Sequence, residues 1–453
     1  MTASRAGRAG SPQDIYFDAI IIGGGAAGLA AAMELVQAGR SVALLEARDR
    51  LGGRIFTRRE PGVPVPIELG AEFIHGSAGR TRALFAKAAA GVIDTSNSHL
   101  TVEEGVLLPR DEFFPRIQRA LRESEALRER DLSFDDLLDR HLSGVLSAEE
   151  RQYARTMAEG FDAADTAHAS ARALAAEWTG DTLGDVPQSR PGGGYEVLLE
   201  VLLALAHGER LRLQLQSPVQ TVEWSRRSVR VSGRFAGTPF TLGGAHAIVT
   251  APLGVLKAPV GTAGAIHFAP ALEVKLRALE GLATGAVVKL LLRFASAFWE
   301  SLHEGRYREV SFLHTPNADI PTFWTPAPAR APLLVAWAGG PRALRAAAGA
   351  SPTELVGTAL ASLRRLFGPG VELTRELQGY YYHDWQHDPF ARGAYSYVAV
   401  GGEASRATLA QPIDDTLFFA GEATDCTGEA GTVTGALESG IRAAREVLAA
   451  SAA

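Results

Sequence analysis

The chain has 453 residues, 46% of them hydrophobic and 21% charged, with a net charge of −6. That length exceeds one simple core, so two domains are expected; the mild acidity offers no face for nucleic acid or an anionic membrane, and no apolar run is long enough to span a bilayer. One cysteine, Cys426, excludes an internal disulfide and any multi-cysteine metal site, so no metal is expected and the setting is read as reducing and cytoplasmic.

In chain order, residues 1–14 ("MTASRAGRAGSPQD") have no apolar core of the signal-peptide kind and read as a disordered leader. An apolar run, Ala19 to Ile22, then meets Gly23, Gly25 and Gly28 in G-x-G-x-x-G spacing. A helix rich in Ala, Leu and Met follows to about Ala38, with Gly39 where a C-terminal cap belongs. Ser41 to Leu45 reads as a second strand ending at Glu46. Such a βαβ unit turns a bare glycine motif into a dinucleotide fingerprint. Gly23 permits the turn, Gly25 lets the backbone approach a pyrophosphate, and Gly28 lets helix and strand pack closely. The helix N-terminus, at Ala26 and Ala27, offers N–H groups to phosphates. Glu46 stands 18 residues after Gly28 and can accept hydrogen bonds from a ribose diol; it would repel a 2′-phosphate, which disfavours NADP.

"EARDRLGGR" comes next, two glycines between Arg50 and Arg54. Alone it would read as a glycine turn flanked by solvated arginines. From about 80 to 180 the pattern is helical and charged, with "RIQRALRESEALRERDLSFDDLLDRHL" as one long example. "SRPGGGYEVLLEVLLALA" is a loop feeding a helix. "RLRLQLQSPVQTVEWSRRSVRVSGRF" alternates apolar and polar residues, and "HAIVTAP" reads as a short buried strand. Strands such as "AVVKLLLRF" and "LLVAWAGG" then alternate with helices such as "SPTELVGTALASLRRLF". The last fifty residues hold the strand and glycine turn "TLFFAGEATDC" and the helix "GTVTGALESGIRAAREVLAA". The chain leaves its nucleotide domain and returns to it.

These motifs together resemble the flavin-dependent amine oxidases, a family that includes monoamine oxidases, polyamine oxidases and lysine-specific histone demethylases. The resemblance rests on "EARDRLGGR", "LGAEFIHG", "VVKLLLRF…FW", "WQHDPFARGAYSYV" and "LFFAGEATDC…GTVTGALESGIRAAREV", spread from residue 19 to 448. It implies an α/β fold: a discontinuous Rossmann-type FAD-binding domain (15–80, 187–260 and 402–453) and an α+β substrate-binding domain (81–186 and 261–401). It also implies non-covalent FAD, because Ala394 stands where monoamine oxidases carry their flavin-bound cysteine.

By the same resemblance the segment from Glu46, Ala47 and Arg48 to Gly52, Gly53 and Arg54 lies along FAD, with Arg54 (and Arg50) bonding cofactor oxygens. Gly70, Ala71 and Glu72 pass beside the flavin, Val219 packs on the adenine, and Gly421 and Glu422 reach the ribityl or pyrophosphate region. Gly431, Thr432 and Val433 open the last helix towards the flavin, where its partial positive charge would stabilise the reduced anion. Tyr395 is one wall of an aromatic cage, and Thr432 replaces the second wall, which leaves room for a longer amine. Trp385 is expected at the flavin or the cavity wall. Glu72 and His75 are the polar candidates for substrate contact, with Glu72 pairing a substrate ammonium. Lys289 is placed to hold a water against the flavin.

The expected reaction is oxidation of an amine C–N bond to an imine, which hydrolyses to an aldehyde, with dioxygen reduced to hydrogen peroxide. The partners are then a small amine and dioxygen, with no nucleic acid and no membrane. Three rivals share parts of the pattern. An L-amino-acid oxidase would need an arginine for the substrate carboxylate; a scaffold using FAD structurally would carry further interaction domains; a desaturase or protoporphyrinogen-type oxidase would use no amine.

Overall fold

The computed structural model describes residues 16–96, 98–103, 105–108, 112–180 and 188–452. The expected leader and the boundary expected at 186/187 lie outside the described residues.

The strand Tyr16–Ile22 is apolar on both faces from Ala19 onward because both are covered there. It pairs in parallel with Val42–Leu45 on one side and with the end of Thr238–Val249 on the other. Ala19 and Ile21 face a core made with the helices Ala26–Gln37, Glu196–Ala206 and Val433–Ala452. Ile20 and Ile22 face a second core with Val222, Val231 and Leu242. The period of two thus feeds two cores from one strand. The sheet has eight strands, ordered 267–269, 219–225, 228–235, 238–249, 16–22, 42–45 and 211–214, with Leu417–Phe419 added alongside Ala247–Val249. Its strands come from distant stretches of the chain, and the final helix closes over the first one.

Two local readings are corrected. The strand read as "HAIVTAP" is the end of a 12-residue strand, Thr238–Val249. Its first half pairs antiparallel with Ser228–Phe235 across a tight turn at Ala236 and Gly237, a partner that the short apolar stretch did not reveal. The long charged helix is also broken. Helices cover Phe113–Glu123 and Ala126–Glu129, and a further turn begins at Phe134. The break has a tertiary cause: the Asp131 carboxylate accepts bonds from Ser170 Oγ (2.9 Å) and the Gly401 amide (2.8 Å), holding that corner to distant segments.

The second sheet has seven strands, ordered 377–382, 287–294, 333–339, 322–324, 312–314, 99–103 and 106–108. The helix Pro352–Phe367, started by a Ser351–Glu354 capping box, packs on its far face. The strap from Ile67 to Ile74 runs between the two sheets, pairing with Thr57–Arg58 and bridging to Ser189. No helix among the described residues is long and apolar enough to cross a membrane.

Candidate active site

The residues singled out for cofactor or substrate contact, Gly28 and Arg50 excepted, line one cavity of about 1460 Å³. Gly28 serves from behind: a Cβ there would stand 1.9 Å from the Gly23 carbonyl oxygen, so helix and glycine turn could not approach as they do.

At one end of the cavity the glycine loop meets the "RLGGR" turn. Gly25 and Gly52 form a parallel bridge, and the Gly52 amide donates to the Gly24 carbonyl at 2.9 Å. Gly52 has φ of +102°, which a side chain tolerates poorly, and a Cβ there would lie 2.7 Å from the Ile55 carbonyl oxygen. Two backbone stretches therefore lie together with no side chain between them and the cavity. Glu46 is buried at the strand end, its carboxylate accepting from the amides of Gly24 (2.7 Å) and Arg48 (2.9 Å). A glycine-lined wall, the N-terminus of helix Ala26–Gln37 and a fixed acid at the strand end fit the pyrophosphate and ribose of a dinucleotide.

The arginines are placed differently from one another. Arg50 turns onto its own loop, donating to the carbonyls of Leu51, Gly53 and Ile55 and lying 3.9 Å from the centre of the Phe56 ring. This corrects its expected bond to the cofactor. Arg48 donates to Asp388 at 2.8 Å. Burial works against the Asp388 charge, yet His383 and Arg48 hold its carboxyl below the ordinary value. Arg54 bonds Glu422 (2.9 Å) and the Ala394 carbonyl. The other Glu422 oxygen accepts from Ser396 Oγ at 2.7 Å. Burial opposes that charge too, but Arg54 and Arg406 outweigh it. Val219 begins its strand at the cavity wall.

At the other end stands Lys289, 4% exposed on the strand Val287–Phe294. Its ammonium lies 2.8 Å from Glu72 Oε2 and donates to the Gly70 carbonyl at 2.9 Å. Glu72 Oε1 accepts from Arg190 Nε (2.9 Å) and Trp324 Nε1 (3.0 Å). Burial would raise the Glu72 pKa, but Lys289 and Arg190 hold it below the ordinary value. This one carboxylate faces two cations, Lys289 and Arg190, so its charge is more than matched within the protein. Its charge partners in the fold are thus Lys289 and Arg190, although it also lines the cavity where a substrate ammonium was expected to meet it.

Trp385 donates from Nε1 to the Leu69 carbonyl at 2.9 Å and packs edge-on against His383. Tyr395 donates its hydroxyl to the Phe161 carbonyl at 2.6 Å, and burial raises its pKa. The hydroxyl thus orients the ring. His75 lies against Phe73 and Phe161, and burial lowers its pKa to about 4, so it is neutral near pH 7. Thr432 is the N-cap of the final helix: its Oγ1 accepts from the Gly435 amide (3.0 Å) and donates to the Glu429 carbonyl (2.7 Å). Its hydroxyl is thus engaged in the cap while the residue lines the cavity.

Several wall residues were not singled out from the sequence. Asp162 and Glu177 line the cavity hydrogen-bonded to each other; burial raises both pKa values, and for Asp162 the neighbouring Glu177 adds to it. Asp162 also accepts from Trp178 Nε1 at 3.1 Å. His99 and His314 stack on the same wall with ring nitrogens 3.1 Å apart. Nothing in their sequence spacing links either pair, since separate segments supply the partners. Arg190, which bonds Glu72 from behind the wall, did have a signal, its place in "SRPGGGY", but only as part of a loop.

A sequence model for flavin containing amine oxidoreductases matches residues 26–448. Lysine-specific histone demethylase 2 of Homo sapiens is 28% identical over 475 residues, covering 95% of this chain and 53% of that protein. The chain thus spans about half the length of that relative. Polyamine oxidase 5 of Oryza sativa subsp. japonica is 30% identical over 463 residues, covering 94% and 87%. Among solved structures, a putrescine oxidase bound to putrescine has a TM-score of 0.78 at 21% identity, covering 96% of this chain and 99% of that one. Cyclohexylamine oxidase from Brevibacterium oxydans IH-35A has a TM-score of 0.75 at 22% identity, covering 96% and 98%. At such identities the structural likeness bears on the fold.

Proposed function

We propose that this chain, which belongs to the flavin-containing amine oxidoreductases, oxidises a C–N bond of a small primary or secondary amine of the polyamine class. It is an oxidoreductase acting on amines, and its cofactor is FAD. FAD supplies the acceptor for the hydride equivalent leaving the carbon next to nitrogen. The observation that carries this reading is the single cavity joining the glycine loop to the wall that holds Lys289.

The chain's own residues divide the work. The glycine loop and the N-terminus of helix Ala26–Gln37 hold the pyrophosphate, and Glu46 holds a ribose. Lys289 holds a water on the opposite wall. Arg190, Glu72 and Lys289 together carry one net positive charge there, which disfavours an ammonium and favours a neutral amine at that wall. Tyr395 and Trp385 orient the substrate, and neutral His75 offers it a hydrogen-bonding nitrogen. The cap at Thr432 leaves room beside Tyr395 for a chain longer than an arylalkylamine, and the Asp162–Glu177 pair gives that chain an acidic wall. Water hydrolyses the product imine to an aldehyde, and dioxygen is reduced to hydrogen peroxide.

An amino-acid substrate is disfavoured. Arg190, the guanidinium beside Glu72, stands behind the cavity wall, and its nitrogens are committed to Glu72, Ala327 O (2.8 Å) and Thr325 O (3.1 Å). The proposed division remains a cofactor domain over 15–80, 187–260 and 402–453 and a substrate domain over 81–186 and 261–401, although the strand His267–Ala269 pairs into the first sheet. Anaerobic addition of spermine, tyramine, leucine or a porphyrinogen tests the function. Bleaching of the bound flavin by spermine, followed by peroxide formation on admitting air, is expected. Bleaching by leucine or the porphyrinogen alone would overturn it.

A further inference from the structure

The ammonium of a lysine has three N–H groups in fixed tetrahedral relation. For Lys289 two partners are in place, the Gly70 carbonyl at 2.9 Å and the Glu72 carboxylate at 2.8 Å. The hydrogen bond to Gly70 and the ion pair with Glu72 restrict rotation about the Cε–Nζ bond, and so the directions left to the remaining N–H groups. The anchors are themselves anchored. Glu72 is gripped from its other oxygen by Arg190 and Trp324. Arg190 stands on the strand Ser189–Pro191, lies 4.5 Å from the centre of the Phe73 ring, and reaches the carbonyls of Thr325 and Ala327. The result is a chain of contacts from the loop after the strand Thr322–Trp324, through Arg190 and Glu72, to Lys289. A buried carboxylate between two cations is costly to leave half-paired, so each member holds the next in one arrangement.

From this geometry we infer that Glu72 is a positioning residue for Lys289: it sets the aim of the Lys289 ammonium into the cavity, with Arg190 and Trp324 holding Glu72 in turn. The inference rests on the proposed role of Lys289 for its effect on rate, though not for its effect on the amine itself. Glu72→Gln keeps the shape but turns an amide N–H₂ or a weaker acceptor towards the ammonium, freeing its rotation. Direct contact between Glu72 and a substrate ammonium predicts something else, a loss independent of Lys289.

Two measurements on the FAD-loaded enzyme separate these cases. In a double-mutant cycle, Glu72→Gln and Lys289→Met each slow turnover by roughly tenfold, and the double variant is no slower than Lys289→Met alone. Losses that multiply would overturn the inference. The second measurement does not use activity. The chain has only four lysines, Lys87, Lys257, Lys275 and Lys289, so lysine Cε signals in a 13C-labelled enzyme can be assigned with Lys289→Met. The Lys289 signal is expected to move in Glu72→Gln and in Trp324→Phe, while the signals of Lys87 and Lys257 stay. An unmoved Lys289 signal sinks the inference. Trp324→Phe removes one donor to Glu72 and keeps the test open should Glu72→Gln misfold. If Lys289→Met turns over at the wild-type rate, the proposed role of Lys289 fails, and the Cε signal still decides whether Glu72 positions it.

Discussion

A lysine in an apolar strand is unusual because its ammonium must find partners or water, and Lys289 finds them in Glu72 and Gly70. Rarity alone would not have selected it. Lys275 is as buried, at 3% exposure, and it donates to the carbonyls of Thr408, Leu409 and Gln411, closing the C-terminal end of the helix Ser405–Ala410. One buried lysine faces the cavity and the other caps a helix; motif context separated them in the sequence, and only contacts explain why. Lys289→Met is expected to retain FAD and to slow turnover at least tenfold, about 1.4 kcal/mol of barrier. Stopped-flow reduction and reoxidation would show which half-reaction suffers, and wild-type rates in both would refute the role. His75 gives a prediction about pH. Its imidazole is protonated near the ordinary 6.5 in the unfolded chain but only at about 4 in the fold. Between those values the unfolded state binds more protons, so this group's contribution to stability is lost as pH falls from 6.5 to 4, by at most about 3 kcal/mol. Glu68, raised to about 7 by burial, acts in the opposite sense, so the wild type must be compared with a variant. The melting temperature of His75→Asn should fall less than that of wild type between pH 6.5 and 4; parallel curves would show that His75 is not held neutral.

Elements specified by a few neighbouring residues were readable, whereas a corner held by distant contacts and a strand interrupted by Pro and Gly were not. The first βαβ unit runs as expected, Tyr16–Ile22, Ala26–Gln37 and Val42–Leu45, because an apolar strand, a glycine turn and an alanine-rich helix are each specified within a few residues. The corner at Asp131 depends on partners far along the chain, whereas the first half of Thr238–Val249 has a local hairpin partner and was missed because Pro239, Gly243 and Gly244 break the strand pattern. Thr432 shows how an element can absorb a residue read as functional. Its hydroxyl closes the first turn of the final helix, so Thr432→Val is expected to cost about 1 kcal/mol of stability while Thr432→Ser does not. Chemical denaturation would check this. A Thr432→Val variant as stable as wild type, with turnover abolished, would return Thr432 to the chemistry.

At the scale of the whole molecule the cavity exists because two sheets and a strap meet, and FAD is expected to bind there without a covalent bond. Acid precipitation should leave the yellow colour in the supernatant; colour in the pellet would point to a link, and Cys426, the only cysteine, lines the cavity. Added FAD should also raise the melting temperature, since a ligand at 100 times its Kd stabilises by about 2.7 kcal/mol. The sequence by itself determined the nucleotide-binding unit, the alternation of strands and helices, the glycines that must be glycines, and the family of motifs along the chain. These follow from local rules: period, turn chemistry and the spacing of a loop around a phosphate. Only the tertiary structure decided which charges meet. It gave Glu72 to Lys289 and Arg190, Arg48 to Asp388, Arg54 to Glu422, and Asp162 to Glu177. The reason is physical: a buried charge is settled by its nearest opposite charge or donor in space, and a sequence read residue by residue does not contain that distance.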